Sequence, residues 1–202
     1  MKLHAENRVS SSITQVSPRF RDRWLAMQLR GGALIGYPTE TVFGIGCDAR
    51  HAEAVAAIAR MKARARGKGL ILVAARPELL RDWVTCTPAQ WQKACASWPG
   101  PVTWVFPAGR PDGRAIAGPL LTGDGTVAVR VSPHPLVRRL SDALGGPLVS
   151  TSANRRGRTP ARNVWVLRQN LGRELDFALD GAPGSGQPSR VMDGRTGHVL
   201  RG

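Results

Sequence analysis

Acidic residues are scarce in this 202-residue chain: 14 Asp and Glu stand against 29 Lys and Arg, leaving a net charge of +15. Such an excess costs self-repulsion, and its usual reason is a polyanionic partner, with nucleic acid or a nucleotide ahead of an anionic membrane. Part of the bias is compositional, because Arg heavily outnumbers Lys and Ala and Gly abound. Cysteine is also sparse. Cys47, Cys86 and Cys95 form an odd, scattered set without C-x-x-C spacing, which argues against a disulfide framework and for reduced thiols. His4, His51, His134 and His198 show no zinc-ligand spacing. No apolar run approaches the roughly 20 residues of a membrane span, and the N-terminus lacks an apolar signal core. A cytoplasmic protein is expected.

Several catalytic signatures are missing too. The glycines at 31–32, 44 and 46 are not followed by Gly-Lys-Ser/Thr, so there is no Walker A loop. Gly-x-Ser-x-Gly is absent, and no serine, histidine and acid announce a triad. No internal repeat, heptad run or long linker breaks the chain.

What is present alternates. Helices are expected over Pro18 to Arg30 (with an apolar stripe of Phe20, Trp24, Met27 and Leu29), Ala52 to Ala63, Pro77 to Trp83, Pro88 to Ala96, His134 to Leu144 and Val164 to Leu171. Strands are expected over Ala33 to Tyr37, Leu70 to Ala74, Val102 to Phe106, Val127 to Val131 and Leu148 to Ser150. Short late strands follow near Phe177, Ser189 to Met192 and His198 to Arg201. Length and alternation together predict one α/β domain with a mixed sheet, preceded by a loose polar arm over residues 1–17.

Two hydroxyl-rich segments follow apolar runs: Tyr37-Pro-Thr-Glu-Thr-Val-Phe-Gly-Ile-Gly-Cys47, with a turn at Gly44 to Gly46, and the turn Ser150-Thr-Ser-Ala-Asn154. Turns at strand ends that carry hydroxyls and backbone N–H groups suit anionic ligands. Between them, Arg60, Lys62, Arg64, Arg66 and Lys68 place five cations in nine residues without an acid. A solvated helix face would interleave carboxylates, so an anion site and a bare solvated helix end are the two readings. A second basic run, Arg155, Arg156, Arg158, Arg162, Arg168 and Arg173, serves either RNA phosphates or solubility. The six tryptophans offer base stacking or core packing, and packing suits most of them. Trp98-Pro-Gly-Pro101 reads as a rigid corner shaping a pocket wall. Glu40, beside two threonines, is a weak candidate base or metal ligand.

Seven segments, in order, resemble the threonylcarbamoyl-AMP synthase family, the YrdC-like proteins also called TsaC. They are Tyr37-Pro-Thr-Glu-Thr-Val-Phe-Gly44, Lys62-x-Arg64, Lys68-Gly-Leu-Ile-Leu72, Trp98-Pro-Gly-Pro-Val-Thr103, Val127-Ala-Val-Arg-Val131, His134-Pro-Leu-Val137 and Pro147-Leu-Val-Ser-Thr-Ser-Ala-Asn154. The resemblance covers essentially the whole chain and implies the short, single-domain bacterial form, with a YrdC-like domain over 18–202. It implies a twisted mixed sheet flanked by helices around a basic concave site. It also implies a nucleotidyltransferase that makes threonylcarbamoyl-AMP and pyrophosphate from ATP, L-threonine and bicarbonate. Partner proteins would then transfer the threonylcarbamoyl group to the tRNA adenosine next to the anticodon.

By this likeness Lys62, Arg64, Ser152 and Asn154 are the catalytic set. Arg64, Lys68, Thr126, Ser152 and Arg201 match ATP contacts, and Thr41, Arg130, Ser150 and Ser189 match threonine contacts. Mg2+ would arrive on the triphosphate, with no protein metal site. The chain departs from the family pattern at Ala65, where proline is usual, at Gly67, where Asp or a similar residue is usual, and at Arg190. The rival reading is a non-catalytic double-stranded RNA or tRNA binder. The compact set Thr41, Ser150, Ser152 and Asn154 favours a small-molecule pocket, which a phosphate-backbone binder would not require. Carbamoyl transfer by a related domain would normally come with further domains.

Overall fold

Strand alternation places the polar residues of this protein, and a computed structural model shows the result for residues 18–63, 67–155, 157–182, 184 and 187–201. The expected N-terminal arm, Arg64 to Arg66 and Arg156 lie outside the described residues.

Among the described residues nine strands form one mixed sheet: β1 (Ile35–Tyr37), β2 (Gly44–Gly46), β3 (Ile71–Ala74), β4 (Val102–Pro107), β5 (Thr126–Val131), β6 (Leu148–Ser152), β7 (Phe177–Ala178), β8 (Arg190–Asp193) and β9 (Val199–Arg201). Their spatial order is β7-β1-β2-β6-β3-β5-β4-β8-β9. β1 with β7, β3 with β5 and β4 with β8 run parallel, and the other pairs are antiparallel. The helices are α1 (Pro18–Arg30), α2 (Ala52–Met61), α3 (Pro88–Cys95), α4 (Pro135–Leu144) and α5 (Val164–Leu171), with a 3-10 helix at Pro77–Trp83. Local chemistry sets their ends. Thr87 and Gln90 close a capping box on α3. The side chains of His51 and His134 cap α2 and α4, and α4 stops at Gly145 with φ +68.

Two expectations about the hydroxyl segments need correction. Gly44 to Gly46 is a strand, not a turn, and β6 runs on to Ser152 rather than ending at Ser150. Glycine inside a strand marks close backbone approach. A Cβ on Gly46 would lie 2.0 Å from the Val149 carbonyl oxygen, so β2 can sit against β6 only with glycine there. The stripe on α1 also differs. Phe20 and Met27 are exposed, whereas Leu25, Ala26 and Leu29 are buried together with Asp22. Asp22 interrupts the apolar i, i+3, i+4, i+7 pattern and is neutralised by Arg139 of α4 at 3.0 Å, which hid the true face.

The two sheet faces are packed differently. The row Val149, Leu72, Val129, Trp104 crosses four neighbouring strands and belongs to the larger cluster, with Val55 and Ile58 of α2, Ala94 of α3 and Leu167 of α5. On the other face, Leu148 and Val73 pack under Leu25 and Leu29 of α1 and Val137 and Leu140 of α4. That helix pair covers only part of the face. Trp83, Trp98 and Trp104 are buried, and Trp165 is exposed, so packing claims half of the tryptophans outright.

Candidate active site

The uncovered part of the second face carries the hydroxyls. Ser150 and Ser152 are two apart on β6 and so share a face. Ser150 pairs with Ile71 of β3, Ser152 with Gly44 of β2, and Val73 of β3 with Arg130 of β5. Above them lies a cavity of about 320 Å3, at the small end of the roughly 300–1,000 Å3 usual for small-molecule sites. It brings together Thr41, Arg130, Ser150, Ser152, Ser189 and Arg201, which are the four residues matched to threonine and two of those matched to ATP. Sequence reading missed Thr39, which also lines the cavity. The Thr39 hydroxyl donates to the Val42 carbonyl (2.7 Å) and accepts from the Thr41 N–H, with the two hydroxyls 3.0 Å apart. That bonding orders the loop between β1 and β2 and presents Thr41.

Ser189 is fixed by β4, whose Thr103 shares the face of Arg130. Its hydroxyl bonds Thr103 at 2.9 Å, and its carbonyl accepts from the Arg201 guanidinium at 3.3 Å. The Trp98 to Pro101 corner does not line the cavity, contrary to expectation. It acts one step back, where the Pro101 carbonyl accepts the Arg190 N–H at 2.9 Å and so seats Ser189.

Arg130 is almost wholly buried, its side chain 5 % exposed. Glu40, considered as a base or metal ligand, is its counter-ion instead, with Nε and Oε1 3.2 Å apart. The Ser132 hydroxyl donates to the other carboxylate oxygen at 2.5 Å. Ser132 lies two residues after Arg130, just past the end of β5. Burial pushes the Tyr37 phenol well above its ordinary value, against smaller opposing effects of a hydrogen bond to Ser150 and the charge of Arg130. The phenol therefore stays protonated and donates to the Val149 carbonyl at 3.2 Å.

Lys62 closes α2 as its C-cap and reaches across to the end of β6. Its ammonium donates to the Ser152 carbonyl (2.8 Å), to Asn154 Oδ1 (2.9 Å) and to the Asn154 carbonyl. Ser152 Oγ also donates to Asn154 Oδ1 at 2.6 Å. An ammonium has three donors, so the Lys62, Ser152 and Asn154 predicted from sequence form one knot beside the cavity. The chain leaves this knot through Ala63 at φ +42, a region that costs a non-glycine residue about 1–2 kcal/mol. Arg64 is outside the described residues.

Lys68 and Thr126, matched to ATP, do not line the cavity. Lys68 is exposed beyond Gly67, whose φ of +82 explains glycine at that departure from the family pattern. Thr126 bonds Thr122 and Asp124 in a turn. The Thr122 and Thr126 hydroxyls hold the Asp124 carboxyl below its ordinary value. Among the described residues, no group of three or more His, Cys, Asp or Glu could hold a metal ion. No described helix is long and apolar enough to cross a membrane. The second basic run is less bare than its sequence suggests, because Arg155 is paired with Glu174.

A family model, Sua5/YciO/YrdC, described as "Telomere recombination", matches residues 27–202. The chain belongs to the Sua5/YciO/YrdC family. Its relatives include a protein of Halorhodospira halophila, 45 % identical over 184 residues, which cover 90 % of this chain and 94 % of the relative. A protein of Stenotrophomonas maltophilia is 47 % identical over 178 residues, 86 % of this chain and 93 % of the relative. Both bear the name threonylcarbamoyl-AMP synthase. Among solved family structures, P. abyssi Sua5 complexed with L-threonine is 30 % identical with a TM-score of 0.75. That match covers 87 % of this chain and 51 % of the longer P. abyssi protein. E. coli YciO shares the fold at a TM-score of 0.80 and 22 % identity, over 91 % of this chain and 89 % of YciO.

Proposed function

We propose that this enzyme is a threonylcarbamoyl-AMP synthase, a nucleotidyltransferase that joins L-threonine, bicarbonate and ATP and releases pyrophosphate. The observation that carries the reading is the cavity itself, a buried Arg130 among the hydroxyls of Thr39, Thr41 and Ser150. Likeness over nearly the full length of relatives with that name supports it. In this reading Arg130 takes the threonine carboxylate and Thr41, Ser150 and Ser189 take the amine and side-chain hydroxyl. The amine, as its neutral form, adds to the carbon of bicarbonate with loss of water and gives an N-carboxylate. An oxygen of that carboxylate attacks the α-phosphorus of ATP, and the bond to the departing pyrophosphate breaks. Two anions must meet, so the cations Lys62 and Arg64 offset their repulsion and orientation supplies the rest.

Lys68, Thr126, Ser152 and Arg201 would contact the nucleotide. Mg2+ would arrive on the triphosphate, where it spreads the charge of the leaving group; the donor set, hydroxyls and cations with no acidic cluster among the described residues, suits that delivery. The product would pass in the cytoplasm to transfer proteins that modify tRNA.

The test is pyrophosphate release by the purified protein with L-threonine and bicarbonate present or singly omitted. Release that requires both is expected. No release from a folded sample that binds tRNA would shift the assignment to a non-catalytic RNA binder, with a steep salt dependence as its mark.

A further inference from the structure

We infer that Glu40 is a positioning residue, an internal counter-ion that holds Arg130 in the cavity wall without saturating it, so that only a carboxylate with further contacts in the cavity displaces the pair. The inference rests on the proposed threonine site. Arg130 lines the cavity and Glu40 does not. The two charges touch at 3.2 Å, yet among the described residues neither Arg130 Nε nor Glu40 Oε1, both buried, has a hydrogen-bond partner. A relaxed guanidinium–carboxylate pair aligns parallel N–H···O bonds, and buried polar atoms are rarely left unmatched. Here the charges are in contact while the hydrogen bonds are not made.

The surroundings explain why Glu40 does not swing into line. Ser132 holds its other oxygen. Its backbone is pinned under the loop after β7: the Gly184 N–H donates to the Thr39 carbonyl, and a Cβ on Gly184 would sit 1.8 Å from the Glu40 carbonyl oxygen. Thr41, the next residue, is tied to Thr39. Glu40 is thus held near Arg130 at a poor angle.

The consequence is selectivity. A buried guanidinium without a counter-ion would draw in any small anion, and a fully aligned pair would resist all of them. A misaligned pair leaves Arg130 hydrogen-bonding capacity for an incoming carboxylate. Glu40 meanwhile repels any anion that lacks other anchors. A ligand that also engages Thr41 and Ser150 overcomes that repulsion; acetate does not.

Acetate is the probe, read by thermal shift. In Glu40→Gln, the half-saturating acetate concentration should fall at least about tenfold below that of the parent protein. An acetate response equal to the parent's overturns the inference. Should Glu40→Gln fail to fold, Ser132→Ala decides, because it keeps both charges but frees Glu40 to align on Arg130. KM for L-threonine should then rise about tenfold with kcat retained, and an unchanged KM overturns the inference. The acetate titration needs no turnover, so loss of threonine-dependent pyrophosphate release from the parent protein would overturn the functional reading separately.

Discussion

The two faces of the central sheet are made by the same strands and have opposite fates. Along β6 the alternation Leu148, Val149, Ser150 sends Val149 into the cluster under α2, α3 and α5, while Leu148 and Ser150 face the other way. The first face is closed along its length by helices and aromatic rings, with Trp104 and Phe106 stacked at 6.1 Å. The second is closed only where α1 and α4 lie. The polar residues Arg130, Ser150 and Ser152 come where that cover ends. The candidate site lies on this sheet where one layer of helices stops short, over strands whose opposite face is packed.

The sharpest break of that contrast is on the closed face. Phe106→Ala should cost about 3–5 kcal/mol of stability, since Phe106 is fully buried. Denaturant melts would show it, with KM for L-threonine unchanged in the protein that remains folded. Arg130→Ala should cost about as much for a different reason, leaving the mostly buried Glu40 carboxylate without its counter-ion and with only the Ser132 hydroxyl, about 3–5 kcal/mol when one partner of a buried pair is removed. Combining Arg130→Met with Glu40→Gln should restore the melting temperature and leave L-threonine binding absent by calorimetry. Binding by the double variant would show that the open face does not depend on its charge.

Lys62→Ala should lower turnover by at least ~100-fold, comparable to removing one electrostatic donor from an active site, while the melting temperature falls by only a few degrees. An unchanged turnover would make the knot with Ser152 and Asn154 purely structural. Ser150→Ala should raise KM for L-threonine by roughly 5- to 15-fold, the worth of about 1–1.5 kcal/mol for one neutral hydrogen bond, with little effect on stability.

The smallest expected effect concerns the thiols. Burial raises Cys47, Cys86 and Cys95 above their ordinary value of 9.0. The folded state therefore favours the neutral thiol. That contribution is complete below the ordinary value and is lost as pH climbs above it, because the unfolded chain ionises first. At pH 8, iodoacetamide should label Cys86 and Cys95 slowly and the fully buried Cys47 only after unfolding. Rapid labelling of Cys47 would mean that the closed face opens.

Much of this was legible beforehand because it is local. α1 and α5 have the expected bounds, and the expected strands differed by one or two residues at their ends. The cavity unites six of the residues matched by the family likeness. The errors share a cause. Gly44 to Gly46 looked like a turn because glycine signals freedom, yet here it answers the Val149 carbonyl from another strand. The exposed face of α1 looked apolar because Phe20 and Met27 are large, and the partner that lets Asp22 be buried, Arg139, lies 117 residues away. Glu40 looked like a lone carboxylate for the same reason, since Arg130 is 90 positions on.

Residue type, period and end-capping thus determined the elements, the excess of positive charge and the motifs, because each depends on neighbours within a turn or a pleat. Only the tertiary structure decided which arginine is buried, which carboxylate pairs with it, and where the helices leave the sheet uncovered. Those outcomes depend on strands distant in sequence meeting at a register that no local pattern encodes.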